Sequence, residues 1–175
     1  MGKPLTGRDR SNLYIMPATN SKSNVRPMSV HIGAEIEGVE LSQPLSAETV
    51  SKIRQALLKW KVVFFRDQHL DHSQHVKFAR HFGALTPGHV VFGHDETYPE
   101  IYSVSKFRTA TQNAAPATTR PWSGWHTDVT AALNPPAASI LRGDVVPPYG
   151  GDTQWTNLVT AYENLSATFR EMLDK

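Results

Sequence analysis

His126 and Asp128, one residue apart within Trp125-His126-Thr127-Asp128-Val129-Thr130, bring an imidazole and a carboxylate to a spacing that can serve one metal ion. Along an extended strand successive side chains alternate faces, so residues i and i+2 point the same way and Thr127 points the other. Such a pair is two-thirds of a 2-His-1-carboxylate facial triad. That arrangement holds Fe(II) by one face and leaves the opposite face open for oxygen and a co-substrate. The third ligand would be a histidine distant in sequence. On the residues alone His and Asp suit zinc or manganese equally, so a metal-dependent hydrolase or a metal-storing protein stays open beside an oxygenase.

A His-x-Asp tripeptide is not specific by itself. With 8 histidines in 175 residues, chance supplies about 0.4 such matches, and a second one stands at His69-Leu70-Asp71. There Asp71, with Gln74 three positions on and Val76, Phe78, Ala79 and Phe82 following, reads as a helix N-cap with its capping-box partner. On the helix it starts, His72 and His75 are three apart and share a face. A solvated helix face is the favoured reading of that pair over a metal site.

The elements that would position His126 and Asp128 follow from the pattern. Val50, Ile53, Leu57 and Trp60 recur at helical spacing behind Ser46 as N-cap, with Leu45 placed as a staple, which predicts a surface helix over 46–60. Val62-Val63-Phe64-Phe65 predicts a buried strand, and a helix from about Asp71 to Phe82 follows it. Further strands are expected at 101–104 and 139–146. Residues 105–121, rich in Thr, Ala, Asn and Pro, form a long connection abutting the His126 strand and are read as a substrate lid. The Pro147-Pro148-Tyr149-Gly150-Gly151 turn delivers Asp152-Thr153-Gln154-Trp155, where the Thr153 hydroxyl can donate to a carboxylate. Short helices are expected around 160–165 and 167–173. Residues 1–27, rich in Ser, Asn, Thr, Pro and basic side chains, predict a loosely ordered tail before a domain over 28–175.

Composition bounds the function. At 39% hydrophobic and 19% charged the chain can build one core. A formal charge of +2 without a basic run gives no reason to expect nucleic acid. No apolar run approaches the ~20 residues of a membrane span, so no membrane role is expected. With zero cysteines a cytoplasmic location is the default.

From about Ser29 to Leu173 the sequence resembles the amino-terminal half of the TauD/TfdA family, which includes taurine dioxygenase and alkylsulfatase-type enzymes. The blocks that carry the resemblance, in order, are Ile32 to Ile36, Lys61 to Gln68, Phe82-Gly83, Trp125 to Thr130, Gly150 to Trp155 and Ala161-Tyr162. The resemblance implies an oxidoreductase that uses Fe(II), 2-oxoglutarate and O2 to hydroxylate a small anionic substrate, such as a sulfonate or alkyl sulfate. It implies that His126 and Asp128 bind iron, that Thr153 contacts 2-oxoglutarate, that His89, Trp122 and Val129 border the substrate, and that the protein is a homo-oligomer. The fold it implies is α+β, mainly β: a double-stranded β-helix (jelly roll, cupin-like) with flanking helices. The family's second iron-binding histidine and its 2-oxoglutarate-gripping arginine follow the motif by a long way and have no counterpart here. A jelly roll also needs about eight strands, and only three candidates lie between His126 and Lys175. An incomplete barrel and a longer polypeptide are therefore expected, with a truncated, non-catalytic binding or oligomerisation module as the alternative.

Overall fold

The computed structural model of the chain describes residues 23–88, 93–104, 124–130 and 132–175. Its centre is a three-stranded sheet in the order β1 (Asn24–Pro27), β2 (Ala34–Glu37), β3 (Val63–Phe64). β1 runs antiparallel to β2 with Val25 opposite Ile36, and β2 runs parallel to β3 with Ala34 opposite Val63. Parallel neighbours cannot be joined by a tight turn, and the required crossover is the helix α1 (Ala47–Trp60).

Helix α1 begins where the Ser46 side chain accepts the Thr49 N–H at 3.1 Å, with Glu48 in the first turn and Lys59 in the last. It stops at Lys61, whose φ of 65° swings the chain left-handed while its N–H still reaches the Leu57 carbonyl. Helix α2 (His72–Arg80) carries the capping box expected at Asp71: the Asp71 carboxylate accepts from Gln74 N at 2.7 Å, and the Gln74 side chain accepts from Asp71 N at 2.9 Å. His69-Leu70-Asp71 is thus a helix start. Two short helices, α3 (Leu158–Glu163) and α4 (Ala167–Leu173), close the chain, capped by Asn157 and Ser166.

The period-2 alternation of β2 builds the core. Ala34 and Ile36 face inward and are buried, whereas Glu35 faces outward to Arg26 at 2.9 Å and Arg66 at 3.7 Å. Against Ile36 pack Ile53 and Ala56 of α1, Phe78 of α2, and Val39 and Leu41 from the connection after β2. The Gln68 side chain fastens that connection, accepting from Leu41 N at 2.8 Å and donating to the Val39 carbonyl at 3.2 Å. Edge-to-face contacts from Phe65 and Phe82 onto the Phe78 ring, at 5.8 and 5.3 Å between centroids, complete it.

Three expectations are corrected. The expected tail extends into β1, because Asn24–Pro27 finds partners along β2. Strand Val63–Phe64 is shorter and only half-buried. The segments 101–104, 125–130, 139–146 and 152–155 are not strands. Strand geometry is held by a neighbour's N–H and C=O groups, and among the described residues the sheet ends at three strands. Val145 and Val146 accordingly stand 90% and 76% exposed. Among the described residues no helix is long and apolar enough to cross a membrane.

Ile53, at 2% exposure, is the most enclosed large side chain of the core. Ile53→Ala is expected to lower unfolding free energy by about 2–5 kcal/mol in urea denaturation. A loss well under about 1 kcal/mol would mean that the core is not centred on α1 and β2.

Candidate metal centre

His126 and Asp128 come together by a turn rather than along a strand. Residues 128–130 turn back, and Val129 sits at φ 51°, a left-handed conformation that a β-branched residue adopts only under constraint. An extended chain is incompatible with that backbone. The turn nevertheless brings His126 Nε2 to 3.3 Å from Asp128 Oδ1.

The two side chains are each held from behind. His126 Nδ1–H donates to the Gly124 carbonyl at 3.0 Å, which sets the ring so that Nε2 is turned toward Asp128. The Ser139 hydroxyl donates to Asp128 Oδ2 at 3.0 Å, which leaves Oδ1 toward the imidazole. Nε2 and Oδ1 stand 3.3 Å apart, a separation that suits an ion pair with a protonated imidazole and equally suits two donors to one cation. Donors each about 2.1 Å from a metal and at right angles stand about 3 Å apart, so the pair fits two adjacent positions of a divalent ion. Both side chains are about half exposed, at 53% and 47%, so their mutual attraction in the absence of an ion is weak. Among the described residues no third His, Cys, Asp or Glu joins them.

The stretch after Asp128 is fastened to the core. Arg142 donates from Nη1 to the Leu70 carbonyl at 2.6 Å and from Nη2 to His72 Nδ1 at 3.3 Å. His75 Nε2–H donates to the Ile140 carbonyl at 3.2 Å. The His72/His75 face of α2, expected to be solvated, is thus covered by residues 140–142. Each imidazole commits a nitrogen to that contact. Further on, Gly150 and Gly151 take φ values of 76° and 75°, which reverse the chain ahead of Asp152. Trp155 then packs edge-to-face on Phe64 of β3, with centroids 5.5 Å apart, and fixes the segment carrying the exposed Thr153. His89, Trp122 and the expected lid over 105–121 lie outside the described residues. Val129 is half exposed beside the pair.

Residues 24–175 match the family described as taurine catabolism dioxygenase TauD, TfdA family. The chain belongs to that family. It is 40% identical over 153 residues to an alpha-ketoglutarate-dependent sulfate ester dioxygenase of Pseudomonas putida, a match covering 87% of this chain and 47% of that protein. To an alkylsulfatase of Acinetobacter baylyi it is 39% identical over 152 residues, covering 86% and 44%. A crystal structure of a taurine dioxygenase from Burkholderia xenovorans superposes with a TM-score of 0.74 at 58% identity, covering 87% of this chain and 51% of that one. The chain spans about half the length of the curated relatives it matches.

Sequence reasoning on this TauD-family chain expects His126 and Asp128 to come together, as they do, and misses the residues that orient them. Ser139 is eleven positions from Asp128 and Arg142 seventy from His72, separations at which no local pattern betrays a hydrogen bond.

Burial under residues 140–142 pushes the His75 imidazole below its ordinary value, and the nearby Arg142 and His72 push the same way against the Ile140 hydrogen bond. Asp95, across from His72, is the carboxylate of this cluster. A histidine with a depressed folded value contributes stability that is fully present above its unfolded value of about 6.5 and is lost as pH falls through the folded one. The melting temperature is therefore expected to fall on acidification from about pH 7 to 5, with a shallower slope in His75→Gln, which keeps an N–H for Ile140. Equal slopes in the two proteins would refute the burial of His75.

Proposed function

We propose that this chain supplies the amino-terminal part of an Fe(II)- and 2-oxoglutarate-dependent dioxygenase that hydroxylates a small organic anion, with sulfate esters and sulfonates the favoured class. The observation that carries the reading is the facing of His126 Nε2 and Asp128 Oδ1, each with its other polar atom already committed. Family membership supports it, as do relatives named for sulfate ester and alkyl sulfate chemistry. The fold that goes with it is a double-stranded β-helix with flanking helices. A second imidazole and a guanidinium would have to come from residues other than those described. A cytoplasmic location and a homo-oligomeric state complete the reading.

His126 and Asp128 would hold the iron, and iron with 2-oxoglutarate and O2 supplies the oxidising chemistry when bound. This chain's own part is positioning. The imidazole is oriented by Gly124, so that Nε2 is the nitrogen presented to the site. The Asp128 carboxylate supplies negative charge at the site and, as a ligand, occupies a position that a halide would need. Thr153, on the segment anchored by Trp155, would donate its hydroxyl to a carboxylate of 2-oxoglutarate. His89, Trp122 and Val129 would border the substrate, and residues 105–121 would close over it and exclude water. Hydroxylation of a carbon that bears a sulfate or sulfonate yields a product that collapses to an aldehyde and releases sulfate or sulfite.

Anaerobic titration of the full gene product with Fe(II) and then 2-oxoglutarate is expected to raise the weak visible charge-transfer band of a chelated complex. Loss of a ligand costs more than loss of an outer-shell partner, so His126→Ala or Asp128→Ala is expected to weaken Fe(II) binding by more than about a hundredfold. A folded protein that shows no band overturns the reading in favour of a non-catalytic relative. Turnover independent of O2 and 2-oxoglutarate would point instead to a hydrolase.

A further inference from the structure

Asp128 lies on an exposed turn whose own backbone gives it little support. The residues at 124–130 are exposed throughout, and Val129 holds a left-handed conformation that a β-branched residue adopts only under constraint. A metal-binding carboxylate in such a place needs an external constraint. The Ser139 hydroxyl provides one by engaging Oδ2 at 3.0 Å, which orients the carboxylate plane and turns Oδ1 toward His126.

Ser139 is in turn the first residue of a stretch fastened to the core. Ile140 accepts from His75, and Arg142 spans the Leu70 carbonyl and His72 at the amino-terminal end of α2. Helix α2 itself is seated by Val76 and Phe78, at 6% and 5% exposure. A continuous path of hydrogen bonds and packing runs from the buried ring of Phe78 to the carboxylate oxygen. The guanidinium is suited to its place because its two nitrogens reach two acceptors at once, which a lysine ammonium on a flexible stem cannot reproduce in that geometry.

We propose that Ser139 is a positioning residue for the Asp128 carboxylate and that Arg142, acting with His72 and His75, latches Ser139 to α2. The assignment rests on the reading of His126 and Asp128 as metal ligands. Outer-shell partners of ligating groups contribute about 10–100-fold in metal affinity, and a latch that acts only through Ser139 must lose its effect once the hydroxyl is gone.

The test is anaerobic equilibrium binding of Fe(II) to the full gene product in wild type, Ser139→Thr, Ser139→Val, Arg142→Lys and Ser139→Val/Arg142→Lys, with unfolding followed in parallel. Thr and Val share a shape and differ by the hydroxyl. Ser139→Thr is expected to bind as wild type and Ser139→Val about 10–100-fold more weakly, with the two unfolding at the same temperature. Arg142→Lys is expected to weaken binding in the wild-type background and to change nothing in the Ser139→Val background. Equal affinity of Thr and Val variants overturns the role of Ser139. Additive losses in the double variant overturn the latch. Wild-type protein that binds no Fe(II) overturns the metal reading itself, and this proposal with it.

Discussion

The parallel pairing of β2 with β3 is the constraint on which the remainder hangs. Two parallel strands cannot be neighbours without a chain segment that returns from one end to the other, and α1 makes that return with Ile53 and Ala56 turned onto Ile36. Once β3 is placed, Phe65 leaves it toward Phe78 and defines where α2 docks, while Phe64 receives Trp155. The two anchorage points for the exposed carboxy-terminal half, α2 and the Phe64 ring, are thus both consequences of one strand pairing. Every buried apolar side chain among the described residues lies between Ala34 and Phe78.

The candidate site belongs to the other half, where side chains are exposed and contacts are polar and sparse. Single surface hydrogen bonds are worth little against the entropy of ordering a loop. Their value at this site is in direction: Gly124 and Ser139 each occupy the atom that is not wanted and leave the wanted one aimed. The exposure of Trp125, Val145, Val146 and Trp155 in the same region gives this half an apolar surface well beyond that of the amino-terminal core.

What was legible in the sequence was local. Ser46 and Asp71 with Gln74 are caps whose hydrogen bonds close within three residues, so a reader of the chain has all the participants in view. Helices α1 and α2 were located by them to within one or two residues. The short helices at the carboxy terminus were legible in outline. Strands were not, because a strand exists by virtue of a partner that can stand anywhere in the chain: β1 was hidden in a polar stretch, and the segments 139–146 and 152–155 have no strand neighbours among the described residues. The His126–Asp128 pair was found because two donor types at close spacing limit where their atoms can go, although the backbone that joins them is a turn around Val129 and not the expected strand.

The hydrogen bond from Ser139 to one oxygen of Asp128 also fixes a matter of counting. A carboxylate can grip a cation with both oxygens or with one, and a hydroxyl seated on Oδ2 takes one lone pair of that oxygen and favours attachment through Oδ1. An octahedral ion has six places, and a chelating carboxylate would take one more of them than a facial triad allows. If His126 and Asp128 hold an ion as proposed, monodentate attachment would leave three places for a two-toothed keto acid and one oxygen molecule. On the proposed reading, a serine hydroxyl that itself binds no metal would help to set how many reactants can meet at one ion.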